Sequence, residues 1–433
     1  MPEKSRTVAG DPRRLWQRVA VLWVCWSLAA AVTDMYVPHL PSVTALLACL
    51  AFVGVWVLTR WHPGPAPKGV LWSITPLIPM SWLLLFSGFS ETPIWVAGLA
   101  IALSLVGIAV SRRWLWVGPA LTLVAISFLL ISYASWGGRA PIDVIGIMQN
   151  GALDLLRGVN PYFQHFRSTT TGVDSFYYPY GPFALLLAVP FAWVGDVRLL
   201  SVASACSIVI LPFVARRWER PTVAAAMMLA LSPWLVWPIL EAWNELTVVA
   251  LLLWWQYLAG TEHRYAWPLV GVAVGVNPVA LIAIAPIYLL QRNLRWDVAR
   301  GVVLGGVIYG ATVALVGLQQ AGRVVHTQGS VQFPATLGAG GVVAAISGHP
   351  LTVIPSAAML ILILLITWRF RRALGRYRDL GAGVSMLLLV LVLPVSYFEY
   401  ALLPSIWIWW WLIEHMQPTA EPEQQATNAV ALP

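Results

Sequence analysis

Charge is what this sequence lacks most. Only 10% of its 433 residues are charged, 26 Lys and Arg against 18 Asp and Glu, where a soluble domain carries about 25%. So little polar surface cannot solvate a globular protein of this length, which excludes an ordinary cytosolic enzyme, a DNA-binding module and a disordered chain. Cysteine is scarce too. The three present, Cys25, Cys49 and Cys206, each lie inside an apolar run, so they read as small buried hydrophobes rather than a disulfide framework or a metal site. No Gly-rich nucleotide-binding loop occurs, and residues 135–178 contain no Asp-x-Asp pair, so a divalent metal is compatible with the sequence but unsupported by it.

Apolar residues are plentiful: 59% of the chain is hydrophobic and the mean hydropathy is +0.75. They come in runs of roughly 17–25 residues, the length that spans a bilayer as a helix. The pattern predicts an all-α, polytopic integral membrane protein with about 11–14 transmembrane helices. The net charge of +8 and pI of about 9.6 do not point to nucleic acid, because Lys and Arg fall in small clusters between apolar runs, where they set orientation. Lys4, Arg6, Arg13 and Arg14 place residues 1–15 in the cytoplasm. The first apolar run lacks a small-residue cleavage site and reads as a retained span.

Following the positive-inside rule, spans at about 16–33, 42–59, 70–88, 94–110 and 114–134 alternate. Residues 16–113 are then a set of additional N-terminal spans with no assigned role, and 135–197 an extracytoplasmic loop region. The run Pro182–Val194 has about 13 residues, too short to cross comfortably. If it crossed, the cluster Arg216–Arg220 would land outside. The sequence therefore predicts two helices lying on the outer surface, 143–157 and 180–194, with 198–214 crossing inward. Further spans are expected at about 222–240, 245–259, 298–318, 350–368, 380–396 and 400–413. In 266–291, Asn277–Pro278 falls at the middle; a proline there breaks or bends a helix. Residues 319–349 lie outside, and 414–433 form a polar, disordered cytoplasmic tail. Trp407 and Trp409–Trp411 read as part of an interfacial aromatic belt.

Ionisable residues gather in the outer loops rather than in the spans, the distribution expected of an enzyme working at the membrane surface. After Asp143, the residues Ile147, Ala152, Leu155 and Leu156 recur at near-helical spacing, giving an amphipathic helix capped by Asp143 and stopped by Gly158–Pro161. A carboxylate at that place is suited to be a general base. Asp154 lies 11 residues along the same helix and can share its face. Asp174 sits in the Ser/Thr/Gly-rich stretch Ser168–Ser175, which can order over a substrate. Arg157, His165 and Arg167, with Arg323, His326 and His349, are candidates to hold a phosphate. Glu241 and Glu245 bracket Trp243–Asn244; a carboxylate beside an indole suits sugar binding, and suits equally an interfacial aromatic belt with ordinary helix caps. Asn277 either bonds to neighbouring helices or faces a substrate cavity.

The stretch from Asp143 through Leu155-Leu-Arg157-Gly-Val-Asn-Pro161-Tyr162, followed by Phe176-Tyr-Tyr178-Pro179-Tyr-Gly-Pro182, resembles the polyprenyl-phosphate-dependent GT-C glycosyltransferases, most of all the mannosyltransferase-like glycosyltransferase family 87. Gly271-Val-Ala-Val-Gly-Val-Asn277-Pro278, the small-residue run Leu337–Gly348, and Pro394-Val-Ser396-Tyr-Phe-Glu399-Tyr400 before Leu402-Leu-Pro404 are similar to later motifs of that family. The resemblance covers roughly 114–413. Three positions depart from it. Asn277 stands where the family has lysine, Glu399 or Tyr400 where it has histidine, and an Asn-Gln-Ser ahead of the small-residue run is missing.

The resemblance implies a GT-C-like module on the plasma membrane of a bacterium, with both termini cytoplasmic and an extracytoplasmic active site. It would move a hexose, mannose above all, from a polyprenyl-phosphate lipid to a lipid-linked or cell-envelope glycan with inversion. Asp143 would be the base, and Asp154, Arg157, Arg167, Asp174, Tyr178, Glu241, Asn244, Asn277, Arg323, His326 and Glu399 would bind substrate. Two other readings stay open. One is a lipid or solute transporter or flippase working through the break at Asn277–Pro278. The other is a non-catalytic relative assisting envelope glycan assembly.

Overall fold

A computed structural model describes residues 117–136, 143–166, 176–216, 233–261, 263, 265–330, 353–374, 378–391 and 402–415, together with 99, 102, 103, 106, 110, 226, 229, 230 and 400. The first three expected spans, residues 217–220, the small-residue run and residues 416–433 of the expected tail lie outside the described residues; residues 414 and 415 of that tail instead end the last helix, Leu402–His415.

Among the described residues the fold is helical apart from one small ladder. Its helices are α1 (Val117–Trp136), α2 (Asp143–Leu156), α3 (Pro182–Val194), α4 (Arg198–Arg216), α5 (Pro233–Leu240), α6 (Asn244–Gly260), α7 (Pro268–Val276), α8 (Ala280–Leu290), α9 (Arg295–Val316), α10 (Leu318–Ser330), α11 (Val353–Arg369), α12 (Arg371–Leu374), α13 (Arg378–Leu391) and α14 (Leu402–His415). Between α2 and α3 the strands β1 (His165–Phe166) and β2 (Phe176–Tyr177) pair antiparallel, His165 opposite Tyr177 and Phe166 opposite Phe176. Among the described residues, Arg198–Ala215 and Arg292–Val316 are long and apolar enough to cross a bilayer, at 18 and 25 residues. Val117–Leu129, Ala280–Leu290, Ala357–Arg369 and Asp379–Val390 are apolar but shorter.

The two short helices expected in the loop region form as α2 and α3, and they pack against each other. Gly158 ends α2 with φ +76. That left-handed turn lets Gly158 N donate to Leu155 O at 3.0 Å and Val159 N to Asp154 O at 2.8 Å, so two otherwise orphaned carbonyls are used. Past Gly195, the Asp196 carboxylate accepts from Arg198 N at 2.8 Å and from its guanidinium at 2.6 Å, fixing where α4 begins.

The core runs through α6, which packs between α4 and α7, while α7 lies along α9. Small residues make that last contact close. A Cβ on Gly305 would come within 2.6 Å of Val274 Cγ1, one on Gly271 within 2.6 Å of Leu304 Cδ2, and one on Gly301 would collide with the Val270 side chain. Gly301 and Gly305 are spaced by four and Gly271 faces them, small residues that let two helices approach along their backbones, while Gly275 makes room for Phe183 of α3 instead. On the other side α8 packs on α13, and α13 on α14.

The segment 266–291 is divided, as its proline implies. Asn277 is extended at φ −150, ψ 127. Its Oδ1 accepts from Val279 N at 3.0 Å and its carbonyl from Ala280 N at 3.0 Å. Asn277 thus closes the turn that leads from α7 into α8, and Pro278 within that turn needs no N–H. At the other end of α8, Arg295 Nε donates to Tyr288 O at 2.9 Å, capping the last turn. Gln291 Nε2 donates to Asp379 Oδ1 at 3.2 Å, and Gln256 Nε2 reaches the same oxygen, tying α6, α8 and α13 together.

Two expectations need correcting. Trp407 is fully buried and Trp410 is 6% exposed, so these indoles are core rather than interfacial belt. Gly383 permits this, because a Cβ there would lie 2.8 Å from Ile408 Cγ1. Residues 318–330, expected to be part of a loop, form α10, set off by Gly317 at φ +81.

Candidate functional site

Asp143 is the first residue of α2. Further along that helix, Ile147, Met148 and Ala152 are buried, and Met148 is where the aromatic loop and α6 meet. Tyr178 Oη donates to Met148 Sδ at 3.3 Å, and Asn244 Nδ2 approaches the same sulfur at 3.7 Å. Tyr178 is fully buried and Asn244 is 3% exposed. Gly151 makes room for the tyrosine, since a Cβ there would lie 2.8 Å from the Tyr178 ring.

Around Tyr178 the loop builds an aromatic cluster. Tyr162, Phe166 and Tyr180 meet its ring edge-on, with centroids 5.4, 6.2 and 5.7 Å away. Tyr162 Oη donates to Tyr180 O at 3.1 Å, and Gln320 Nε2 of α10 donates to Tyr162 O at 2.6 Å. Burial pushes the Tyr178 and Tyr162 phenols well above the ordinary tyrosine range, with neighbouring tyrosines adding to it.

One residue beyond Asn244, Glu245 is 5% exposed, and Asn277 Nδ2 donates to its Oε1 at 2.7 Å. Glu245 lies in the first turn of α6 and Asn277 in the turn that leads into α8. The Glu245 side chain therefore sits between the start of α6 and the break that precedes α8. Among the described residues the ion pairs are Asp154–Arg157 at 3.7 Å and Asp196–Arg198 at 2.6 Å; Glu245 is in neither.

Of the sequence candidates, Tyr178, Asn244 and Asn277 converge on this buried polar seam. Asp154 and Arg157 pair with each other on α2, Arg157 being 69% exposed. Glu241 is half-buried in the turn before α6, and Arg323 is exposed on α10. His326 also falls on α10. Arg167, Asp174, His349 and Glu399 lie outside the described residues.

The turn separating the two glutamates has a strained cap. Ala242 adopts φ +55, while Trp243 N donates to Pro238 O at 2.9 Å and Ala242 N to Ile239 O at 3.3 Å. This is a left-handed helix ending at a position that favours glycine. It leaves Glu241 at the end of α5 and sends Glu245 into the core. Met148 was not singled out in the sequence, where an isolated methionine carries no signal. Nor was the contact between Glu245 and Asn277, 32 residues apart.

Compared with family models, with curated proteins and with solved structures, the chain matches none.

Proposed function

We propose that this chain is a polytopic membrane glycosyltransferase of the GT-C type, taking a hexose from a polyprenyl-phosphate donor. The observation that carries the reading is α2 beginning at Asp143 and packing on α3, with the aromatic loop folded between them and Tyr178 inserted beside Asn244. The apolar composition supports a membrane setting. So do the outward faces of α9 and α11, where Val303, Val307, Leu315, Ile361, Leu362 and Leu365 are more than half exposed.

In this reading the acceptor hydroxyl attacks the anomeric carbon while Asp143 takes its proton. The bond from that carbon to the phosphate oxygen breaks, and polyprenyl phosphate leaves carrying the electron pair. Arg323, on α10, is the candidate to neutralise it; Arg157 lies past the far end of α2, about 20 Å along the axis from Asp143. Transfer inverts the anomeric centre, and the long lipid tail stays in the bilayer. Replacing Asp143 by Asn in membranes supplied with polyprenyl-phosphate sugar is expected to abolish glycan product; full transfer by that variant refutes the mechanism.

A second reading rests on the buried Glu245 beside the helix break, an arrangement also suited to a transporter. Solute or lipid accumulating in proteoliposomes without a covalent product favours it over the enzyme.

A further inference from the structure

The helix α2 is held by its neighbours at three adjacent places. Met148 faces Tyr178 and Asn244, Gly151 receives the Tyr178 ring, and Gln149 reaches the other way. Gln149 Nε2 donates to Ala192 O at 3.3 Å, and its Oε1 accepts from Val197 N at 2.9 Å. One side chain thus serves a carbonyl near the end of α3 and an N–H just before α4, 43 and 48 residues away. The rest of the α2–α3 contact is apolar: Ile147, Ala152, Ala184, Leu185 and Ala188 are buried. Such packing is non-directional and lets a short helix roll or slide by a fraction of a turn.

We infer that Gln149 is a positioning residue, fixing the rotation of α2 and through it the direction in which Asp143 is presented. Residues 143 and 149 are six apart, about 9 Å along the axis, so a roll of α2 at Gln149 is carried rigidly to its first residue. The inference rests on the reading in which Asp143 is the base, and goes beyond it by naming what aims that base. Hydrogen bonds suit the task because they fail steeply with angle, whereas apolar contact tolerates a slide.

The test uses the full chain in membranes with a polyprenyl-phosphate sugar donor. Gln149→Met keeps length and volume but removes both hydrogen bonds. It is expected to lower kcat about 10- to 100-fold with KM within twofold, the scale of a misplaced catalytic group. Combined with Asp143→Glu, which displaces the carboxylate by one methylene, the loss is expected to be clearly less than the product of the two single losses. Multiplicative losses, or a KM change alone, overturn the inference and assign Gln149 to packing only.

A second measurement does not depend on activity. Spin labels at Leu156 and Trp193, both exposed, read the α2–α3 separation, and Gln149→Met is expected to broaden its distribution. An unchanged distribution overturns the inference while leaving the Asp143 reading intact. Full transfer by Asp143→Asn removes both.

Discussion

Met148→Leu tests whether a thioether sulfur is the acceptor at the heart of the buried seam. The exchange nearly conserves volume, and such swaps in a core usually cost under about 1.5 kcal/mol. Among the described residues, it also removes the acceptor of Tyr178 Oη, at 3.3 Å, and of Asn244 Nδ2, at 3.7 Å. A buried hydroxyl left without a partner costs about 1–3 kcal/mol. The amide adds less, since its contact is long and sulfur accepts weakly. The total expected is about 2–4 kcal/mol.

Tyr178→Phe deletes the hydroxyl together with its need for a partner, and should cost only about 0.5–1.5 kcal/mol. The double variant should then be more stable than Met148→Leu alone. Unfolding of the detergent-solubilised chain, followed by tryptophan fluorescence across a denaturant series, gives the three differences. If Met148→Leu matches the wild type, or the two changes simply add, the sulfur is not acting as an acceptor.

Asn277→Asp sets two carboxylates face to face and should destabilise by about 2–4 kcal/mol, whereas adding Glu245→Gln supplies a donor and should recover more than half of it in the same assay. Ala242→Gly relieves a left-handed residue and should stabilise by about 1 kcal/mol, read as a rise in Tm. Gly301→Ala drives a methyl into Val270 and should cost about 1–3 kcal/mol; an unchanged Tm would mean that α7 and α9 are further apart. Because burial raises the Tyr162 and Tyr178 phenols, the stability they contribute is whole below the ordinary tyrosine value of about 10 and falls as pH rises from there toward their folded values. Phenolate absorbance should show both still protonated where exposed tyrosines have ionised.

Local signals were legible in the sequence and long-range ones were not. The end of α2 could be read because Gly158 acts within a turn of itself. Pro182 and Gly195 bound α3 in the same way, and Asn277–Pro278 makes a turn whose effect is local. The partners of the amide side chains could not be read. Asn277 finds Glu245, Gln149 finds Ala192 and Val197, and Gln320 finds Tyr162 across 158 residues; composition and period say nothing of such pairings. Of the two glutamates, the one favoured for substrate, Glu241, lies partly open, and the deeply buried one is Glu245. Their separation depends on the φ of Ala242, for which alanine gives no warning. Trp407 and Trp410 were misread because an indole suits an interface and a core equally well, and composition does not say which.

The interruption at Asn277–Pro278 also sorts the helices into two companies. Ahead of it, α7 packs on α9, α6 and α3; after it, α8 packs chiefly on α13 and α11 and more lightly on α9. The polypeptide crosses from one group to the other through three residues, 277–279, and α6 is the wall they share. Asn277 fastens the crossing to that wall through Glu245 at one end of α6, while Gln256, Gln291 and Asp379 fasten it at the other. The buried apolar residues of both groups form one continuous core, so the crossing is a brace rather than a joint: the chain changes neighbours there without parting the core.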